Sequence, residues 1–251
     1  KILMDTKSKL RSILEIPDNY EILFLQGGAS SQFAMIPLNL KDEKGDYIIT
    51  GNFSNLAYKE ALKYQEAHIS YDGSKDNFKR IPSNDELVFD DDTSYVHYCA
   101  NNTIYGTEWH YIPKTNKTLI CDMSSNICSK RIDVSKYGLI YAGAQKNLAP
   151  AGLTIVIINK DLLNRHSNLT PSVFEYNKQA EKDSMYNTPP TFQIYMLKLT
   201  LEWIESIGGL VEVEKQNKYK ADLLYKTLEE SKIFKLHASI DSRSNMNVTF
   251  R

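Results

Sequence analysis

Cysteine is scarce in this chain, opposite charges nearly cancel, and no apolar run is long enough to cross a bilayer. Each shortage excludes something. Three cysteines (Cys99, Cys121 and Cys128) are an odd number with no Cys-x-x-Cys pair, so neither a disulfide framework nor a cysteine-rich zinc site is built from them. They read as reduced, buried thiols, which places the protein in the cytoplasm. A net charge of -1 leaves no electrostatic footprint for nucleic acid or an anionic membrane. No stretch approaches the ~20 apolar residues of a membrane span, and the first residues do not read as a signal peptide. The opening Lys1-Ile2-Leu3-Met4 already reads as helix, which suggests that the natural start lies further upstream. Repeats and low-complexity tracts are also missing. What remains is an ordinary globular composition with 42% hydrophobic residues over 251 positions, enough for one large α/β domain and part of a second. Its partners are expected to be small molecules or another copy of the chain.

Taken in order, Leu3, Leu10, Ile13 and Leu14 predict a helix that ends at Pro17-Asp18-Asn19. A strand over Tyr20 to Leu25 follows, then Gln26-Gly27-Gly28-Ala29-Ser30-Ser31-Gln32-Phe33 and an apolar segment through Leu40. Strand, glycine turn and helix start together expose backbone N–H groups to a phosphate, although a Gly-Gly pair alone also occurs in turns that bind nothing. Further strands are expected at Asp46–Thr50, Ala67–Tyr71, Thr93–Cys99 and Thr118–Cys121, with a helix after Gly51-Asn52-Phe53-Ser54. Short strands alternating with helices predict a mostly parallel, doubly wound sheet, with ligands gathered at the carboxyl ends of its strands. That rule selects Gly27 to Ser31, Gly51 to Phe53, Asn101 to Thr103, Asp122 and Lys146 as candidates for one site.

Lys146 stands apart from the other lysines. It lies in Gly143-Ala144-Gln145-Lys146-Asn147, between the apolar runs Leu139–Tyr141 and Leu153–Ile158, which suggests a desolvated amine able to attack a carbonyl. A plain strand-to-strand turn fits the same spacing equally well. Beyond it, Phe192, Tyr195, Met196, Leu199 and Trp203 fall at helical spacing and read as a core-packing stripe, stopped by Gly208-Gly209. A second amphipathic helix covers about Val211 to Leu228, and Asn247–Arg251 reads as the start of a strand. The expected division is 1–210 as the large domain and 211–251 as the start of a second, smaller one.

A strand-end lysine, a strand-end carboxylate and a phosphate-cradling turn suit pyridoxal 5'-phosphate. The lysine would form the Schiff base, Asp122 would pair with the pyridine nitrogen, and the glycine turn would hold the phosphate. A lone Asp after a strand is otherwise a common cap or turn residue.

Several segments, in register along nearly the whole chain, resemble the phosphoserine aminotransferase family of the class-V aminotransferase group. They are Gln26–Phe33, His97-Tyr98-Cys99-Ala100-Asn101-Asn102-Thr103-Ile104, Asp122-Met123-Ser124-Ser125, Gly143–Asn147 and Asn187-Thr188-Pro189-Pro190-Thr191. The resemblance implies a fold-type-I large domain and exchange of an amino group between L-glutamate and 3-phosphohydroxypyruvate in serine biosynthesis. It also implies a homodimer with a shared site. Lys146 and Asp122 become the catalytic pair, and Thr103 bonds the cofactor's ring oxygen. Ala29, Ser30 and Gln145 hold its phosphate, joined by Asn187 and Thr188 from the neighbouring subunit. Phe53 stands where relatives carry a tryptophan stacked on the cofactor ring, so stacking is expected in weaker form. The family's N-terminal substrate-binding arginine and most of its small domain have no counterpart in these 251 residues, which leaves a cofactor-binding core without catalysis as the alternative. A sulfur-transferring relative ranks below both, since Cys99 and Cys121 sit in strand-like runs.

Overall fold

The structure is a computed structural model that describes residues 1–40 and 43–251. Seven strands form the central sheet in the order β1-β9-β8-β7-β4-β2-β3. They are β1 (Tyr20–Leu25), β2 (Gly45–Ile49), β3 (Ala67–Asp72), β4 (Tyr95–Cys99), β7 (Thr118–Asp122), β8 (Leu139–Gly143) and β9 (Thr154–Asn159). A two-stranded ribbon, β5 (Asn101–Asn102) and β6 (Thr107–Glu108), stands beside it. Six strands of the large sheet run one way and β9 alone is reversed, pairing antiparallel with β8 and β1. The reversal follows from chain length. Ala144 to Leu153 is shorter than the stretch of about a dozen residues that a parallel crossover needs. The expected mostly parallel, doubly wound sheet is therefore present, with one reversed strand.

Alternation along the strands divides the core between the two faces of the sheet. Ile22, Phe24, Val96, Tyr98, Cys121, Ile140, Ile155 and Ile157 pack on one face, against α1 (Ile2–Ile13) and α5 (Thr191–Ser206). On the other face lie Leu23, Tyr47, Tyr95, Ile120, Tyr141, Val156 and Ile158. These meet α2 (Gly28–Asn39), α3 (Asn52–Ala61) and Tyr176 of the short α4 (Tyr176–Glu181). Apolar surface is thus covered on both sides, as parallel strands require. Gly208 and Gly209 have φ of 108° and 75°, values open to glycine at little cost, and they turn the chain from α5 into α6 (Gly209–Glu230).

The structure corrects two expectations. The stripe Phe192, Tyr195, Leu199 and Trp203 points outward, 37% to 61% exposed, with Met196 half-buried. The residues of α5 that pack inward are Ile194, Leu197, Leu201 and Ile204. The helix is apolar on more than one side, and periodicity alone does not say which side is covered. Asn247–Arg251 forms no strand; its sheet-like pairing is an isolated bridge between Leu236 and Phe250. A direct test of the first correction is available. Leu201→Ala should cost this chain about 2–5 kcal/mol of stability, and Trp203→Ala no more than about 0.5 kcal/mol. Urea midpoints for the two variants at protein concentrations low enough to keep the chain monomeric check this, and a larger loss in the Trp203 variant would reverse the assignment of faces.

Candidate active site

Because β1, β2, β4, β7 and β8 share a direction, their carboxyl ends open on one edge of the sheet, and the expected residues converge there. A cavity of about 140 Å³ is lined by Ala29, Ser30, Phe53, Asp122, Gln145 and Lys146, together with Gly28, Phe33, Cys99, Asn101, Ser124 and Ser125. Thr103 reaches it through the lysine, whose Nζ lies 3.4 Å from the Thr103 Oγ1. Beyond Lys146 the surface continues into a wider hollow walled by Asn147, Pro150, Met196 and Thr200. Asn187 and Thr188 are not in this cavity. They are exposed, and both engage Gln26: the Asn187 amide donates to the Gln26 Oε1 (3.2 Å), and the Gln26 amide donates to the Thr188 carbonyl (2.9 Å).

Each wall of the cavity has a local cause. Gly27 and Gly28 take φ of 93° and 69°, and a side chain on Gly27 would collide with Ser31. This bend starts α2 without any side-chain cap. The first-turn amides therefore face the cavity mouth with the positive end of the helix behind them, a ready anion cradle. Lys146 ends a 3-10 turn, Ala144–Lys146, directly after β8. Its ammonium sits 4.6 Å from the centroid of the Phe53 ring, within cation–π range. Its flanking strands are buried, but Lys146 itself is exposed, so the sequence-based expectation of a desolvated amine is corrected. The side chain leaves the sheet at the strand end and lies at the mouth of the cavity rather than in the core.

Asp122 is the opposite case, a carboxylate only 4% exposed. The Ser124 backbone N–H (2.8 Å) and hydroxyl (2.6 Å) both donate to its Oδ1, and the Gly143 N–H donates to the Ser124 hydroxyl oxygen (2.9 Å). Burial pushes the carboxyl above the usual aspartate range, while Ser124, the Lys146 charge and the Tyr141 hydroxyl pull the other way. Asn101, selected by the strand-end rule, does line the cavity, whereas Ser124 and Ser125 enter the sequence reading only as parts of motifs. Their work here is structural: the Asn101 amide donates to the Ser125 hydroxyl (2.8 Å) and to the Asn247 Oδ1 (2.7 Å), which ties the C-terminal segment to the cavity wall. A side chain that orients another through one hydrogen bond leaves no periodic mark in a sequence.

The residues fit pyridoxal phosphate on the structure's own terms. A buried carboxylate aimed at a cavity needs a cationic or N–H partner. An uncapped helix start on the same cavity suits a phosphate, and the Phe53 ring lines the cavity with them. A larger cavity of about 340 Å³ lies behind the loop after β7, walled by Tyr98, Trp109, Met123 and Cys128, and contains none of the expected residues. Among the described residues no group of His, Cys, Asp and Glu is arranged to hold a metal ion, and no helix is long and apolar enough to cross a membrane. The three cysteines are buried and free. Burial raises each thiol, Cys128 to about 12, which disqualifies them as persulfide carriers of a sulfur transferase.

Comparison with known proteins agrees with this geometry. The family model described as aminotransferase class-V matches residues 1–251. A phosphoserine aminotransferase of Shouchella clausii is 51% identical over 243 residues, covering 96% of this chain and 67% of the relative. A solved phosphoserine aminotransferase, studied for radiation damage of its Schiff base, superimposes with a TM-score of 0.97 at 46% identity, over all of this chain and 71% of its own. The PLP-bound phosphoserine aminotransferase of Trichomonas vaginalis gives 0.94 at 37% identity, over all of this chain and 75% of its own.

Proposed function

The chain belongs to the class-V aminotransferase family, and from that premise we propose that it is a phosphoserine aminotransferase. It exchanges an amino group between L-glutamate and 3-phosphohydroxypyruvate, giving O-phospho-L-serine and 2-oxoglutarate. The relatives' names supply phosphoserine and amino-group transfer, and the keto acid that phosphoserine corresponds to is 3-phosphohydroxypyruvate. The observation that carries the chemistry is one cavity lined by a buried carboxylate, a reachable amine and an uncapped helix start. A coupled assay of the purified protein with glutamate and phosphohydroxypyruvate tests the reading. Turnover with the phosphorylated keto acid but not with pyruvate supports it. The reverse preference would assign the site to another transaminase, and no turnover with any keto acid would favour a cofactor-binding core.

The cofactor is pyridoxal phosphate, which when bound supplies an electron sink for the bond broken at the substrate Cα and carries the amino group between substrates. The chain's own residues do the rest. First-turn amides of α2, with Ala29, Ser30 and Gln145, bind the phosphate. Phe53 would offer its face to the ring and Thr103 would hydrogen-bond the ring oxygen. Asp122, held by Ser124 at one oxygen, keeps the proton on the ring nitrogen with the other. Lys146 Nζ would move the proton at the substrate Cα, and its exposed position at the cavity mouth leaves it free to reach there.

Asn187 and Thr188 complete the phosphate site of a second copy in a homodimer. Supporting this, they are exposed, lie outside their own chain's cavity, and precede the outward apolar face of α5. Mixing two inactive variants decides it. Lys146→Ala and Asn187→Ala dimers, dissociated and reassociated, should regain activity, because one site then combines Lys146 with the intact Asn187 of its partner. No recovery would return Asn187 to its own site. We also read residues 211–251 as the beginning of a smaller domain. Leu210 and Val213 join the main core, whereas Ala221, Tyr225 and Leu228 are buried outside it, with the Tyr225 hydroxyl donating to the Ser244 carbonyl. The free, buried thiols support a cytoplasmic setting.

A further inference from the structure

Beneath Asp122 lies a polar row that the proposed reaction does not use directly. Tyr141 stands beside Asp122, its register partner on the neighbouring strand. His97, across β7 on β4, brings its Nε2 within 2.8 Å of the Tyr141 hydroxyl. Its imidazole stacks on the Tyr141 ring at a centroid distance of 5.9 Å and meets the Tyr47 ring at a tilt, 5.0 Å away. All three rings are at most 1% exposed. His97 Nδ1 has no hydrogen-bond partner. Rings of this polarity, buried this deeply, cost stability unless their hydrogen bonds serve something.

We propose that Tyr141, held by His97, is a positioning residue for Asp122: its hydroxyl donates to the carboxylate while its oxygen accepts from His97 Nε2–H. This rests on the reading of Asp122 as the partner of the cofactor's ring nitrogen. Proton counting selects the direction. An ionised carboxylate only accepts, so the single Tyr141 proton goes to Asp122, the register partner beside it on the neighbouring strand. The Tyr141 oxygen must then accept, which makes His97 the Nε2–H tautomer. That tautomer leaves Nδ1 as a bare lone pair, the less demanding kind of unpartnered atom. The opposite tautomer would bury an unpaired N–H and leave Asp122 without the bond.

The row keeps this polarity across the working pH range. Burial holds His97 neutral down to about 3 and raises the Tyr141 hydroxyl well above its ordinary value. The other titratable groups near Asp122 are Cys99 on β4, Cys121 on the opposite face of β7 and the Lys146 ammonium. Burial keeps both thiols protonated, so only Lys146 adds charge. Ser124 and Tyr141 together turn the carboxylate and counter part of its burial, leaving acceptor capacity for the ring nitrogen's proton.

The experiment follows the Asp122 carboxyl by carbon-13 NMR in the full-length apoprotein labelled at aspartate, with Asp122→Asn identifying its signal. In Tyr141→Phe, which keeps the ring and removes the donor, the Asp122 midpoint should rise by about one pH unit or more. His97→Leu should raise it by less. His97→Gln, whose amide N–H stands near the lost Nε2–H, should restore it toward wild type. In the holoenzyme the same variants should lower kcat of the glutamate half-reaction without raising KM. An unchanged midpoint in a folded Tyr141→Phe, or equal effects of Gln and Leu at position 97, would overturn the proposal. If Tyr141→Phe does not fold, the position-97 pair decides alone. A shifted midpoint with an unchanged half-reaction would leave the row standing and overturn Asp122 as the ring-nitrogen partner.

Discussion

Lys146→Ala should abolish covalent capture of pyridoxal phosphate and lower the single-turnover rate with glutamate by about 10²–10⁴-fold, the range set by loss of a positioned general base. Two properties of the residue make the prediction sharp. Lys146 is exposed at the mouth of the cavity, and its one hydrogen bond among the described residues is the long 3.4 Å contact to Thr103. Removing the side chain therefore leaves no buried group unpaired, and the fold should change by no more than about 0.5 kcal/mol. An inactive variant with an unaltered melting curve thus reports chemistry rather than unfolding. Borohydride treatment followed by peptide mass analysis should place the cofactor on Lys146 in the wild type and nowhere in the variant. A cofactor label on another lysine would transfer the role to that residue. Exogenous amines should restore part of the rate, because the position vacated at the end of the 3-10 turn is open to solvent.

How much of this was legible in the sequence differs from element to element, for physical reasons. Strands such as Tyr20–Leu25 and Leu139–Gly143 are apolar on both faces because helices cover both sides, so they stand out as continuous runs. The reversal of β9 was also implicit, since Ala144 to Leu153 leaves no room for a crossover helix. The outward face of α5 was not legible. Leu201 and Trp203 satisfy the same apolar pattern, and what separates them is which side meets α1 and the sheet. The exposure of Lys146 was hidden for a related reason: burial of flanking strands says nothing about a side chain that projects past their ends. Cavity members such as Ala29, Asp122 and Lys146 could be found because strand ends and glycine turns mark them. Tyr141 and His97 could not, since inside a strand they look like any other buried ring.

Asp122→Asn should lower the half-reaction rate by about 10²–10³-fold, comparable to removing one preorganised electrostatic partner from an active site, and should do so without weakening the folded protein. The local geometry supports both halves. Asparagine retains an oxygen for the two Ser124 donors at 2.8 and 2.6 Å, so the loop stays anchored. What it lacks is the negative charge that keeps a proton on the ring nitrogen, and an N–H placed toward that nitrogen favours the unprotonated ring. The stability half follows from the raised carboxyl of Asp122, caused chiefly by burial. A folded-state value above the unfolded one means that the native apoprotein binds more protons than the unfolded chain between those two values, so stability falls as pH rises through that window. Above it, the wild-type apoprotein carries the full cost of a buried charge, and Asp122→Asn carries none. Denaturant titrations of both apoproteins should therefore show the wild type losing stability relative to the variant from the ordinary aspartate range upward, with the variant the more stable at neutral pH. Pyridoxal phosphate should narrow that gap by supplying the missing N–H partner. A variant less stable than wild type at neutral pH, or one that reacts with glutamate at the wild-type rate, would show that Asp122 is held for the loop rather than for the cofactor.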